Sequence, residues 1–179
     1  MRPTASFMFS HPAHWIALGF GAGLSPKAPG TVGTLWAWVS WWAFQSYFTT
    51  SELGLIIVLA SLLGWWACKV TALNMGISDP GAIVWDEVVA FWLILFMIMP
   101  TDIWGQVGAF LLFRFFDAVK PGPIKTIDRY FKTWQPTLER LDQPKKIPSW
   151  VVRGFGVMID DIAAAIATLL VIAIWVRVF

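Results

Sequence analysis

Five charge-free runs mark the candidate spans: residues 28–51, 53–68, 88–101, 103–113 and 162–176. Only the first by itself clearly exceeds the roughly 20 apolar residues that a membrane-crossing helix needs. The second and fifth reach that length if Lys69 and Arg177 extend their charged ends to the interface. The third and fourth are short. Either their helices begin inside the polar motifs that flank them, or they form a shallow hairpin around Pro100 and Asp102. The pattern predicts an all-α bundle of four to five hydrophobic helical segments, organised as a single membrane-embedded unit over residues 1–179.

Composition sharpens this reading. Hydrophobic residues make up 58% and charged residues 13%, and the mean hydropathy is +0.66, well away from the mixture of an ordinary soluble domain. Tryptophans gather near the ends of the runs, as at Trp41, Trp42, Trp65, Trp66, Trp104 and Trp175. That placement suits an aromatic belt, and core packing serves equally well. The single Cys68 excludes an intramolecular disulfide and reads as a packed helix residue. No basic, apolar and cleavage-site succession precedes Gly19, so no removable signal peptide is expected.

If all five runs cross, strict alternation puts the N-terminal segment, the loop 69–87 and the region 114–153 on one side. Nine of the 13 Lys and Arg residues lie in 114–153, and Arg2, Lys27 and Lys69 fall on the same side. The excess of positive charge makes that side cytoplasmic. Four polar motifs then share one face: GFGAGLSPKAPGTVGT from Gly19, SDPGAIVWDE ending at Glu87, FRFFDAVKPGPIKTIDR from Phe113, and GFGVMIDD ending at Asp161.

These motifs bring together Asp86, Glu87, Asp117, Asp160 and Asp161. An aspartate at the centre of a bilayer helix costs roughly 2.5–3.5 kcal/mol, so adjacent acids in so apolar a setting indicate function. Hard oxygen donors without clustered His or Cys point to Mg2+ or a similar cation rather than zinc. An acidic helix N-terminus is the plainer explanation for Asp86 and Glu87 taken alone. His11 and His14 lack a matching carboxylate pattern and are expected to be interfacial or disordered rather than on a metal.

The cations nearby suit a phosphate. Arg114 and Asp117 share a helix face and pair in the simplest reading, but Lys120 and Lys125 follow directly around a Pro-Gly-Pro turn. Lys27 and Thr31 stand among Pro and Gly just before a helix, where backbone amides receive anions. Residues 124–138 repeat apolar side chains at helical spacing with Lys125, Arg129 and Lys132 between them. Such a segment lies along anionic headgroups or packs on the bundle.

Several phosphate chemistries are absent from the sequence. Leu24 interrupts a GxGxxG pattern, Pro26 replaces the glycine that precedes the lysine of a P-loop, and Asn74 stands where a Cys-based phosphatase loop needs arginine. The Ser-Gly-His pattern of histidine-dependent lipid phosphatases and the spaced-Asp signature of CDP-alcohol phosphotransferases are missing too.

Through PKAPGTVGT (26–34), IVWDE (83–87), FRFFDAVKPGPI (113–124) and MIDDIAAA (158–165), the chain resembles the bacterial phosphatidylglycerophosphatase A family. The resemblance runs in order over nearly the whole chain after the first dozen residues. It implies a small Mg2+-dependent inner-membrane enzyme that removes the terminal phosphate of phosphatidylglycerophosphate on the cytoplasmic leaflet. Its partners are then a phospholipid substrate and the membrane, not a nucleic acid. In that role Asp86, Glu87, Asp117, Asp160 and Asp161 hold one or two Mg2+ ions, and Arg114, Lys120, Lys125 and Lys27, with Thr31, hold the phosphate. Asp79 and Asp128 are outer partners. Water or an aspartate is the nucleophile, with water favoured because no DxDx-type motif is present. A small ion or proton-coupled transporter and a non-catalytic anionic-lipid-binding protein are the alternatives.

Overall fold

The computed structural model describes residues 3–76, 80–122 and 149–178, with side chains in the last stretch from Met158 onward. Every described element is helical. Two short helices, α1 (Ala5–Phe9) and α2 (Pro12–Ala17), lead through a 3₁₀ turn (Gly19–Leu24) into α3 (Pro29–Tyr47). Then follow α4 (Thr50–Met75), α5 (Trp85–Met97), α6 (Ile103–Val119) and α7 (Ser149–Val178). The five charge-free runs thus map onto α3 to α7, and all three polar flanks prove helical: α5 begins at Trp85, α6 continues to Val119, and α7 starts at Ser149. Asp160 and Asp161 therefore sit inside a long helix, after its first ten residues.

Local chemistry sets the boundaries. Thr49 and Glu52 form a reciprocal capping box at the start of α4, with the Thr49 amide donating to Glu52 Oε2 at 2.8 Å. Gly76, at φ +65°, ends the same helix. Asp102 Oδ1 accepts from the Gly105 amide at 2.8 Å and opens α6.

α5 is the hub. It packs on α3, α4, α6 and α7, and Trp85, Val88, Val89, Phe91, Trp92, Ile94 and Leu95 are all buried. A helix that is apolar on every side belongs inside a bundle, so this short third segment is enclosed by its neighbours. Small residues let them approach: Ala60, Ala67, Ala90, Ala109, Ala164 and Ala165 are buried. Gly64 of α4 faces the Trp85 ring so closely that any Cβ would strike it, and the Trp85 indole donates to the Ala60 carbonyl at 3.0 Å.

Thr50–Met75 and Met158–Val178 are long and apolar enough to cross a membrane. These are the second and fifth runs. The first, expected to be the clearest span, yields a helix of 19 residues, because the chain turns at Phe48 and Thr49 and the last residues of that run begin α4. α4 directs Leu55, Val58, Leu59 and Leu62 outward, and α7 does the same with Ile166, Leu170 and Ile174. Tryptophan takes both roles: Trp41, Trp85 and Trp92 are buried, whereas Trp104 and Trp175 are exposed.

Candidate active site

The site forms where the N-terminal ends of α3 and α5 meet the C-terminal end of α6 and the acidic turn of α7. Its base is the glycine-rich 3₁₀ turn, a packing element for the segment before α5. The Val84 amide donates to the Ala17 carbonyl at 2.9 Å, fixing where α5 begins. Asp86 and Glu87 then occupy its first turn, where the helix dipole favours negative charge. Asp86 Oδ1 accepts from the Glu87 amide at 3.0 Å, and the buried Cys68 thiol lies within hydrogen-bonding reach of the Asp86 backbone.

Arg114 joins three elements. Its Nη1 donates to Glu87 Oε1 at 3.0 Å and to Thr34 Oγ1 at 3.3 Å, and stands 2.9 Å from Asp117 Oδ2. The Thr34 hydroxyl in turn donates to the Gly30 carbonyl at 2.9 Å. A side chain at Gly30 would collide with the Glu87 carboxylate, so the glycine gives that acid its place against α3. The other oxygen, Glu87 Oε2, is buried with no hydrogen-bond partner among the described residues.

Lys120 sits just past α6 in a left-handed conformation, φ 44°, and forms an ion pair with Asp160. Asp161 is the most enclosed of the acids at 4% exposure. Asp86, Asp117, Glu87 and Asp160 all lie within electrostatic reach of it. The five acids singled out in the sequence therefore share one neighbourhood.

Arg114 and Lys120, expected to face a phosphate, are paired with these acids. Oxygen donors alone, with the buried Glu87 Oε2 unsatisfied, fit a hard cation by chemistry. Among the described residues, however, no three acids have the spacing of a ready-made metal site, and the two basic side chains supply the counter-charge.

The remaining candidates distribute as follows. Lys27 is exposed in the loop before α3, where its carbonyl accepts from the Ser25 hydroxyl at 2.8 Å. Thr31 is half-buried in the first turn of α3, while Thr34, one turn further on, is the threonine that meets Arg114. Lys125, Asp79, Asp128 and the amphipathic stretch 124–138 lie outside the described residues. The histidines differ from expectation. His11 caps α2 by accepting from the Ala13 amide at 3.1 Å. His14 is 1% exposed, with Nδ1 2.8 Å from Thr71 Oγ1 and Nε2 3.2 Å from Asn74 Nδ2, a buried pin between α2 and α4.

A sequence profile described as Phosphatidylglycerophosphatase A matches residues 15–139. A Phosphatidylglycerophosphatase A of Escherichia coli (strain K12) is 38% identical over 158 residues, covering 88% of this chain and 79% of the relative. One from Haemophilus influenzae is 37% identical over 172 residues, covering 96% and 93%. A Bacteroides thetaiotaomicron protein provisionally named a phosphatidylinositol-3-phosphatase is 32% identical, covering 90% and 92%. No solved structure matches the chain significantly.

Proposed function

Since the chain belongs to the phosphatidylglycerophosphatase A family, a family of phosphatases, we propose that it hydrolyses the terminal phosphomonoester of phosphatidylglycerophosphate, releasing phosphatidylglycerol and inorganic phosphate. The reading includes Mg2+ as cofactor and a multi-pass placement in the inner membrane with the site facing the cytoplasm. The observation that carries it is the Arg114 node: one guanidinium bridging Glu87, Asp117 and Thr34 joins three of the motifs on which the family resemblance rests.

A phosphomonoester needs positive charge at its oxygens and a nucleophile in line with the leaving oxygen. Arg114 and Lys120 supply the charge by turning from their acids to the phosphate, assisted by Lys27 and Lys125. Asp86, Glu87, Asp117, Asp160 and Asp161 are the residues that would hold Mg2+, with the unsatisfied Glu87 Oε2 a natural donor. When bound, the ion supplies further charge for the phosphoryl oxygens and eases deprotonation of water. Water adds to phosphorus as the bond to the glycerol oxygen breaks. The carboxylate cluster accepts the proton of the water and delivers it to the leaving glycerol oxygen.

Phosphate release from phosphatidylglycerophosphate in detergent micelles, with Mg2+ and with excess EDTA, tests this directly. Release that requires Mg2+ is expected. Asp161→Asn should abolish it while the protein still inserts and folds. Folded protein that releases no phosphate in either condition would overturn the proposal.

A further inference from the structure

α3 and α6 both pack on α5, but they meet each other through long side chains. At one end Arg114 reaches Thr34. Further along, Trp38 stacks on Phe110 with ring centroids 5.6 Å apart, and the indoles of Trp38 and Trp42 donate to Gln106 Oε1 at 2.7 and 3.0 Å. Alongside these ties, Leu35, Trp38, Val39 and Trp42 of α3 and Ile103 of α6 line a cavity of about 180 Å³. All five lining side chains are hydrocarbon or indole, and both indole N–H groups are turned away to Gln106.

The position of this groove identifies its occupant. Thr34, Trp38 and Trp42 follow one another at intervals of four, with Leu35 and Val39 beside them, so they form a single stripe along α3. The head of the stripe is Thr34, bonded to Arg114. From there to Trp42 the helix rises about 12 Å at 1.5 Å per residue. A ligand that places a phosphate at Arg114 and carries a hydrocarbon chain meets the groove one turn below its headgroup. We infer that the α3–α6 groove holds one acyl chain of the phospholipid whose phosphate is bound at Arg114.

This inference rests on the lipid phosphatase reading. The groove's task is alignment rather than affinity, because a chain leaving lipid for an apolar groove gains little from the hydrophobic effect. It fixes the angle at which the phosphate is presented. Gln106 is the positioning residue, as its single oxygen holds both tryptophan walls.

The test uses full-length protein in nanodiscs and a diacyl phosphatidylglycerophosphate bearing a mid-chain diazirine. After photolysis, labelled residues are mapped by mass spectrometry. Label is expected on Leu35, Val39 and Ile103, and excess unlabelled phosphatidylglycerophosphate should suppress it at least fivefold. Label on Leu55 and Leu62, on the outer face of α4, should persist as that of bulk lipid. Parallel loss, or no loss, at both faces would overturn the inference. Val39 is 70% exposed, so Val39→Trp fills the groove without disturbing the core. It should lower kcat/KM for the diacyl substrate about tenfold and leave hydrolysis of the water-soluble deacylated headgroup unchanged. Equal loss on both substrates would also overturn it, as would no loss on either; Ile103→Trp repeats the test from the α6 side. Cross-linking is read without turnover. Specific label in an inactive protein would therefore uphold the groove while removing the phosphatase reading.

Discussion

At the scale of single residues, the site depends on a side chain that the sequence does not advertise. Thr34 is fully buried, donates to Gly30 and accepts from Arg114, so it sets the direction of the guanidinium. A hydrogen bond to a charged group contributes about 1.5–3 kcal/mol, corresponding to roughly 10- to 150-fold in kcat/KM if the contact matters in the transition state. Thr34→Val should lose activity in that range and lower the melting temperature as well, and Thr34→Ser should recover most of both. Wild-type rates in Thr34→Val would remove the positioning role. Arg114→Lys should also be impaired, since the shorter lysine side chain does not carry its ammonium to the point where Nη1 meets Glu87, Asp117 and Thr34 together. The acids were legible in the sequence because charge is conspicuous in an apolar chain. Thr34 was not, because threonine is ordinary in a helix and its partner lies 80 residues away. Gln106, which takes two indole donors, is hidden for the same reason.

At the scale of elements, apolar runs revealed which segments are helices but not what surrounds them. Nothing in 88–101 distinguishes a lipid-facing helix from the enclosed α5, and only the contacts at Gly64 and Ala60 show where it is anchored. Gly64→Val should push Trp85 away and shift the helix start that carries Asp86 and Glu87, lowering both stability, by about 1–3 kcal/mol, and activity. Gly108→Ala, which meets open space on α6, should be neutral or slightly stabilising; equal losses in the two variants would refute the anchoring argument. α2 is held differently. Burial first, and then the neighbouring His11, keep the His14 pKa below its ordinary 6.5. The Asn74 amide nitrogen faces Nε2, so that atom accepts and Nδ1 donates to Thr71. A depressed histidine pKa gives stability that is present above the unfolded-state value and lost as pH falls through the folded one. Melting temperature should therefore drop between pH 7 and pH 5, and the drop should be smaller in His14→Gln. Identical pH profiles would show that His14 does not govern it.

For the whole molecule, the question is which end of the bundle faces which compartment. α5 and α6 form a hairpin that brings Glu87 back to Arg114, and α3 contributes Thr34 to the same end. The α3–α4 turn at Phe48–Thr49 and the 98–102 connection are carried to the other. Lys27, Arg114 and Lys120 lie at the site end, while Arg177 is the basic residue of the opposite one, beside Glu52 and Asp102. The end richer in Lys and Arg should be cytoplasmic, as the proposed substrate leaflet requires. Nineteen residues of α3 span about 28 Å, close to the hydrocarbon thickness of a bilayer, so its two ends provide the decisive comparison. In a Cys68→Ala background, Ser51→Cys should react with an impermeant maleimide in intact cells, and Pro26→Cys only after lysis; both native side chains are exposed. The reverse pattern would invert the bundle and leave the site facing away from the proposed leaflet. Labelling of both in intact cells would mean that α3 does not cross, and the arrangement of charge would then reflect packing at one membrane surface.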